Sequence, residues 1–445
     1  MSSSSDKETC YKLLYNYFEH ETFSNLMMNK EGVSDFVRAA VYGTITYLIA
    51  IDHIVKHASG KDVSSTDSKT ATIVRFGSWQ LLFSEKVPDY AAISSSVELA
   101  KKYCPASSGF VNAVLRKLQS LPQEQKEISF YKPNIRCCLK PEIYGIFKKN
   151  YGQEKALSIG EALLRIQPTT IRVNTLKTTV EELSQRLEEE GFKVTKSSFM
   201  PDALAITPLE GRSIDRAKSY DDGLFFVQGE GAMLASVIAA PSKGDKILDC
   251  CAAPGGKSTH LAQLSSDEAS ILSLDINDSR LELIRQNLKR LGIKSVTVSG
   301  GDSTNLEATL DPASKFDIVL CDVPCSGLGL MSGKPDIRHT ISYERIKELL
   351  PKQQTILSGA SGYVKEGGTL VYSTCTINKD ENEAQVKAFL EGHPDFYADN
   401  LMQFLPAGII LDADRQEAAK EGMITILPDE DSCEGFFIAR LKRRN

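Results

Sequence analysis

Two cysteines raise the first chemical question. Cys375 closes LVYSTCTI (370–377), a run of strand formers that ends in a thiol between two threonines, and Cys325 follows the strand-like FDIVLCDVP (316–324) in the same way. A buried cysteine usually packs as a small hydrophobe, so either thiol alone carries no weight. Near them in sequence stand Asp322, three residues ahead of Cys325, and Lys257 closes the turn CCAAPGGK (250–257). Acids also follow two other strand-like runs: Asp275 ends ILSLD, and Asp302 follows SVTVSGG. At the end of the second strand of a parallel sheet, a carboxylate is suited to accept both hydroxyl hydrogens of a ribose. One at the third strand end can accept from the amino group of an adenine. Pro254, Gly255 and Gly256 form a tight turn that lets backbone approach a ligand closely, although GxGxxG and GxxxxGK[ST] are both missing. An acidic nucleoside pocket disfavours a phosphorylated ligand and suits a cationic one, which fits the sulfonium of S-adenosylmethionine.

Two thiols, a carboxylate and a methyl donor point to a specific reaction. C5 of a cytosine is too poor a nucleophile to take a methyl group unaided, but a thiolate adding to C6 converts the ring into an enamine whose C5 is nucleophilic. The attacking sulfur must be a thiolate, so its pKa has to fall below the roughly 8.5 of a free thiol; Lys257 or the charge of the methyl donor can help. Asp322, if protonated or sharing a proton, can hold N3 and the exocyclic amine of the base and offset the charge that addition creates. The second thiol is then free to help remove the C5 proton or release the product.

These residues need a scaffold that brings strand ends together. After residue 240 the sequence alternates short apolar strands (DKILDC, ILSLD, SVTVSG, FDIVLCD, TLVYST) with helix-like stretches, which predicts a parallel sheet covered on both faces. In such a sheet ligands bind at the carboxyl ends of the strands, where all of these residues lie. The helix after Asp275 is expected to open on a Ser279–Glu282 capping box, to bury Leu281, Ile284, Leu288 and Leu291, and to stop at Gly292. The first 120 or so residues carry helix signals almost alone. Val37, Val41, Ile45, Leu48, Ile51 and Val55 predict one long amphipathic helix after Ser34 and Asp35 as candidate caps, and further helices are expected over 71–84, 94–103 and 109–118. Between these regions the signals mix: a strand at 171–177, a helix over 180–194 ended by Gly191, and a strand running into a helix over 225–234. The division expected is 1–125 all-α, 126–234 linker and small α+β domain, and 235–445 catalytic α/β domain.

Composition excludes several classes. With 445 residues, 42% hydrophobic and 25% charged, the chain is a globular protein large enough for two or three cores. Its longest apolar run, Ala39 to Ile51, is shorter than the roughly 20 residues a bilayer needs, so no membrane partner is expected. MSSSSDKETC lacks the basic and apolar regions of an export signal, and ten cysteines then read as free thiols in the cytoplasm. They show no CxxC spacing, so no metal is expected. The net charge of −6 argues against a simple electrostatic nucleic-acid binder, but residues 101–150 hold ten Lys and Arg against three acids, a local surplus able to meet phosphates.

DCCAAPGGKSTHLA, DVPCSGLG, KPDIR (334–338) and VYSTCTINKDENEAQV resemble the RNA cytosine-5 methyltransferases. WQLLFSEKVPDYAAISSSVELAKKY and GFVNAVLRKL resemble a NusB-type helical domain, and the combination is similar to the bacterial 16S ribosomal RNA cytosine-5 methyltransferases of the RsmB, Sun or Fmu family. The resemblance implies a Rossmann-like S-adenosylmethionine-dependent core, preceded by a small α+β domain and an all-α NusB-like domain, in a monomer acting on ribosomal RNA. It implies that Cys375 is the nucleophile and Cys325 assists release. It further implies cofactor contacts at Cys251, Ala252, Ala253, Pro254, Gly255, Gly256, Lys257, Asp275, Asp302 and Asp322. A DNA cytosine-5 methyltransferase would attack through its PC-motif cysteine and would not need Cys375. Methylation of transfer RNA or another RNA is one alternative; the other is a non-catalytic RNA-binding assembly factor, for which loss of a thiol or of Asp275 would have been the signal.

Overall fold

The computed structural model describes residues 4–20, 33–209 and 214–445. By packing, the chain divides into two compact units: Met1–Arg165 with Met331–Ser342, and Ile166–Leu330 with Tyr343–Asn445.

The first unit is helical. Helices α1 (Ser4–His20), α2 (Asp35–Thr46), α3 (Leu48–Ser59), α4 (Ser68–Phe83), α5 (Asp89–Tyr103) and α6 (Ser108–Gln119) enclose one apolar core. The expected single helix from Phe36 to Val55 is two helices, interrupted at Tyr47. The β-branched run Thr44-Ile45-Thr46 is a poor helix former, and the Tyr47 ring stacks on Phe83 with centroids 4.0 Å apart. Ser34 caps α2 by accepting from the Val37 amide, as its position suggests. Gly43 is required by packing, since a Cβ there would enter the ring of Trp79, the only tryptophan. Residues 126–165, grouped by pattern with the α+β region, pack with the helices instead; α7 (Pro141–Tyr151) and α8 (Gln153–Ala162) bury Ile143, Phe147, Ala156 and Ile159. The stretch Met331–Ser342 joins this unit as well, although its sequence neighbours belong to the other.

The second unit holds two sheets. A four-stranded antiparallel sheet runs β2-β3-β1-β4, with β1 Thr169–Val173, β2 Phe192–Lys196, β3 Ala203–Pro208 and β4 Phe225–Val227. The helix expected over 180–194 spans Val180–Glu189 on a complete Thr179–Glu182 capping box. Gly191 at φ 87° then turns the chain, and FKV pairs with β3 as strand rather than continuing as helix.

The second sheet has eight strands. β5 (Lys246–Asp249), β6 (Ser270–Asp275), β7 (Val296–Gly300), β8 (Phe316–Asp322) and β9 (Val364–Thr374) are parallel in the order β9-β8-β5-β6-β7. Alternation divides them between two cores: Ile247, Ile318 and Leu320 face one, and Leu248, Val319 and Cys321 the other. Three antiparallel strands absent from the sequence reading complete the sheet: β10 (Phe396–Ala398), β11 (Met423–Ile426) and β12 (Phe436–Arg443), with β12 against β9. FFIARL is buried on both faces, so it lacks the alternation that marks a strand. The order reverses at β5, whose two neighbours are β6 and β8, and the carboxyl ends of β5, β6 and β8 therefore border the crevice where such sheets bind ligands. Among the described residues no helix is long and apolar enough to cross a membrane.

Candidate active site

The turn after β5 forms the floor of the site. Gly255 adopts φ 98°, a conformation strained for any other residue, and a Cβ at Gly256 would lie 3.2 Å from the Phe226 ring. The backbone from Ala253 to Lys257 is therefore bare of side chains at its tightest point. It is also held: the Ala252 amide donates to the Leu274 carbonyl at 2.8 Å, Arg280 to the Ala253 carbonyl at 2.7 Å, and Asn287 to the Pro254 carbonyl at 3.1 Å. Cys251 is half-buried beside it, and its thiol is pushed well above its ordinary value by burial.

Asp275 ends β6 at 4% exposure, with one carboxylate oxygen accepting from the Ala253 amide and the other from the Asn277 amide, both at 3.2 Å. It thus ties the second strand end to the turn after the first. The following helix, Asp278–Leu291, buries the four apolar residues expected and ends at Gly292 in the left-handed region. Its cap is Asn277, not a Ser279–Glu282 box, because Asn277 is the residue with extended backbone and its side chain accepts from the Ser279 and Arg280 amides. Asp302, after β7, is exposed and bonds locally to the Thr304 amide (2.9 Å) and hydroxyl (2.7 Å), which lower its pKa. It differs from Asp275 in being bound only within its own turn.

At the end of β8 the Asp322 carboxylate accepts from Lys257 Nζ at 2.7 Å and from Ser373 Oγ at 2.8 Å. Burial alone would lower the Lys257 pKa; Asp322, with Asp249 and Cys375 behind it, outweighs burial and keeps it raised. Ser373 lies two residues before Cys375, so the ion pair is joined directly to the strand that carries that thiol. Because β8 and β9 are parallel neighbours with Asp322 opposite Ser373, Cys325 and Cys375 emerge together, their sulfurs 3.2 Å apart. The Cys325 thiol is pushed well above its ordinary value, first by its hydrogen bond to Cys375 and then by burial. The two thiols share a hydrogen bond in which either sulfur can be the donor, so one proton between them suffices to support negative charge on the other.

Several residues that hold this arrangement were not singled out from the sequence. Glu381 is fully buried and accepts from the Ser326 amide (2.8 Å), Ser326 Oγ (2.6 Å), Gln353 (3.1 Å) and Asn378 (3.0 Å). Ser326 Oγ also lies 2.8 Å from Thr376 Oγ1. One carboxylate thus pins the residue after Cys325 to the loop that carries Cys375. A third loop closes against both: the Gly329 amide donates to the Cys375 carbonyl at 3.1 Å and the Gly435 amide to the Gly329 carbonyl at 2.9 Å. The signal in the sequence was the polar cluster NKDEN directly after a strand end. Beneath the site Asp249 is buried, takes a hydrogen bond from Ser258 at 2.6 Å, and is raised by burial to about 6. All ten cysteines are free, and among the described residues no group of His, Cys, Asp and Glu is placed to hold a metal ion.

Comparison with known proteins decides the family. Residues 236–442 match a model described as 16S rRNA methyltransferase RsmB/F, residues 4–120 the NusB family, and residues 144–208 a ferredoxin-like domain of RsmF/B-like methyltransferases. The chain is 32% identical over 412 residues to the probable ribosomal RNA small subunit methyltransferase B of Synechocystis, covering 92% of this chain and 91% of that protein. The chain belongs to the ribosomal RNA small subunit methyltransferase B family. The family's probable member in Bacillus subtilis is 30% identical across 100% of both chains. The fold is shared with the crystal structure of PH0851, at a TM-score of 0.79 and 24% identity over 100% of this chain and 99% of that one. The three matches follow the helical, ferredoxin-like and Rossmann-like order of the chain, the ferredoxin-like one beginning inside α7, which packs with the helices; both thiols, Lys257, Asp275, Asp302, Asp322 and Glu381 fall within the matched methyltransferase region.

Proposed function

We propose that this protein transfers a methyl group from S-adenosylmethionine to C5 of a cytosine in small-subunit ribosomal RNA, through a covalent bond between Cys375 and C6. The observation that carries the reading is the pair of sulfurs at 3.2 Å, presented by adjacent strand ends beside the Lys257–Asp322 ion pair. The methyl donor suits the residues present: Asp275 offers a buried carboxylate at the second strand end and Asp302 an ionised one at the third, beside a turn held tight by Gly255 packed on Ile284 and Gly256 packed on Phe226. Membership of the family supports ribosomal RNA as the substrate.

The residues act in sequence. Cys375, as a thiolate whose negative charge Lys257 supports, adds to C6 and makes C5 an enamine carbon. Asp322, sharing the proton of its Lys257 partner, donates to N3 and accepts from the exocyclic amine, offsetting the charge that addition places on the ring. Bound S-adenosylmethionine supplies an electrophilic methyl group to that carbon. Cys325, as a thiolate at this stage, takes the C5 proton, the C5–H electrons re-form the C5–C6 double bond, and the Cys375 sulfur leaves C6 as a thiolate, restoring the aromatic ring. A cytosine stacked in A-form RNA hides this edge, so the target base is unstacked or flipped out.

Labelled RNA and cofactor on denaturing gels test the assignment. Cys375→Ala should bind both ligands yet give no methylated product and no covalent complex. Cys325→Ala should accumulate a covalent protein–RNA complex, because addition remains while elimination slows. A complex that persists in Cys375→Ala but never builds up in Cys325→Ala would reverse the two roles.

A further inference from the structure

The run IRVNTLK (171–177), which the sequence marks only as a strand, reaches the candidate site through one side chain. Arg172 lies in β1 of the four-stranded sheet at 2% exposure, inside the same compact unit as the parallel sheet. Its guanidinium crosses to the helix Gly256–Leu264, which opens on the glycine turn. Nη1 donates to the Gly256 carbonyl at 2.7 Å and to Gln228 Oε1, Nη2 to Thr259 Oγ1 at 2.9 Å, and Nε to Gln263 Oε1 at 3.2 Å. Thr259 Oγ1 in turn lies 2.8 Å from the Gly255 carbonyl and 3.0 Å from that of Gly256. One guanidinium thus holds, directly or through one hydroxyl, the carbonyls of both glycines that precede Lys257.

Stability alone does not account for a cation at this place. All of these acceptors are neutral, burial lowers the Arg172 pKa with Asp202 opposing it, and a guanidinium buried against neutral groups is costly. The first turn of a helix favours anions, so the charge also sits at the unfavourable end of Gly256–Leu264. What the arrangement supplies is direction. A guanidinium only donates, so it faces the oxygens of Gln228 and Gln263 and fixes both amides. The Gln228 amide then lies against the turn, its nitrogen 3.6 Å from where a Cβ of Gly256 would stand. From the other side, Asp275 accepts from the Ala253 amide and Arg280 donates to the Ala253 carbonyl, so the turn is held on both flanks.

We infer that Arg172 is a positioning residue for the methyl donor: through it the four-stranded sheet holds the glycine turn in its ligand-binding shape before the ligand arrives, and sets where Lys257 begins. The inference rests on the methyltransferase reading above. A turn ordered in advance loses less freedom on binding, and that difference appears as affinity.

Arg172→Lys keeps the charge and loses the fork of donors. Its S-adenosylmethionine affinity, measured by calorimetry without RNA, should weaken roughly tenfold or more. The KM for S-adenosylmethionine should rise by the same factor while the KM for RNA stays native. Thr259→Val leaves Arg172 in place and removes only the hydroxyl between it and the glycine carbonyls; it should weaken cofactor affinity in the same direction, and it decides the matter if Arg172→Lys does not fold. Asn174→Ala is the control for plain destabilisation, because Asn174 ties the same stretch of chain to the Gly223 and Leu291 carbonyls at 2.9 and 3.0 Å and not to the turn. It should lower the melting temperature and leave cofactor affinity unchanged. In the ligand-free chain, amide exchange over residues 255–260 followed by mass spectrometry should quicken in Arg172→Lys and Thr259→Val but not in Asn174→Ala. Native cofactor affinity in both variants would overturn the inference, as would an equal loss of affinity in Asn174→Ala. A native chain that binds no S-adenosylmethionine would instead refute the functional reading, and the exchange rates would still decide whether Arg172 holds the turn.

Discussion

Glu381 offers a sharp test of how the thiol pair is held. Glu381→Ala removes four hydrogen bonds to one buried carboxylate, two of them from Ser326, the residue after Cys325. Ser326 Oγ keeps Thr376 and the Gln353 amide keeps the Pro324 carbonyl at 3.0 Å, so the loss falls mainly on the Ser326 amide. With hydrogen bonds to charged groups contributing about 1.5–3 kcal/mol each, and removal of one partner from a buried network costing more than its net contribution, the substitution should destabilise by about 3–5 kcal/mol. The effect on chemistry is separable from this. Cys375 directly follows Thr374, the last residue of β9, which is paired on both sides by β8 and β12, whereas the Cys325 loop loses its main anchor. Release should therefore slow more than addition, and the variant should accumulate covalent RNA complex under conditions where the native protein turns over. Urea unfolding followed by gel analysis of the complex reads both effects. Native stability and native turnover in Glu381→Ala would refute the claim that this carboxylate positions the loop, and a stability loss with no change in the ratio of complex to product would refute its link to Cys325.

Asp275→Ala leaves ribose donors unpaired and also frees the Ala253 amide, so S-adenosylmethionine affinity should weaken by about 1–3 kcal/mol, roughly 5- to 150-fold; calorimetry showing unchanged affinity would remove Asp275 from the cofactor site. Asp249 sits at about 6 in the folded chain because it is buried, against about 3.9 unfolded, so the native state holds a proton that the unfolded chain releases. Its contribution to stability is present below about pH 4 and is lost as the pH rises through 6, a change of roughly 3 kcal/mol. Asp249→Asn should abolish that share of the slope, which urea unfolding at several pH values between 4 and 7 measures; an unaltered slope would exclude Asp249 as its source.

How much of this was legible beforehand follows from the range of the interactions involved. Periodicity located α6, with Val111, Val114, Leu115 and Leu118 buried, and Asp278–Leu291 with its four apolar residues, because a helix buries one stripe that the sequence displays directly. The five parallel strands were legible from short apolar runs between helices, and with them the clustering of Asp275, Asp302, Asp322 and Cys325 at strand ends. Local competition was harder to see. The break at Tyr47 depends on a ring stacked on Phe83, from another helix, and the Asn277 cap on a backbone angle rather than on the spacing of a motif. β12 was hidden because both of its faces are buried.

The sequence by itself determined which residue types stand at the strand ends, and so the chemistry open to them. Only the tertiary structure decided how they meet. The pairing of β8 with β9 sets two sulfurs 50 residues apart in the chain at 3.2 Å, and Glu381 fixes the loops between them. Packing likewise moved Met331–Ser342 out of the unit to which its neighbours belong. Buried charge explains why: Arg338 and Glu381 are tolerable inside a protein only where several partners, supplied by segments distant in sequence, converge on them, and no local pattern records that convergence.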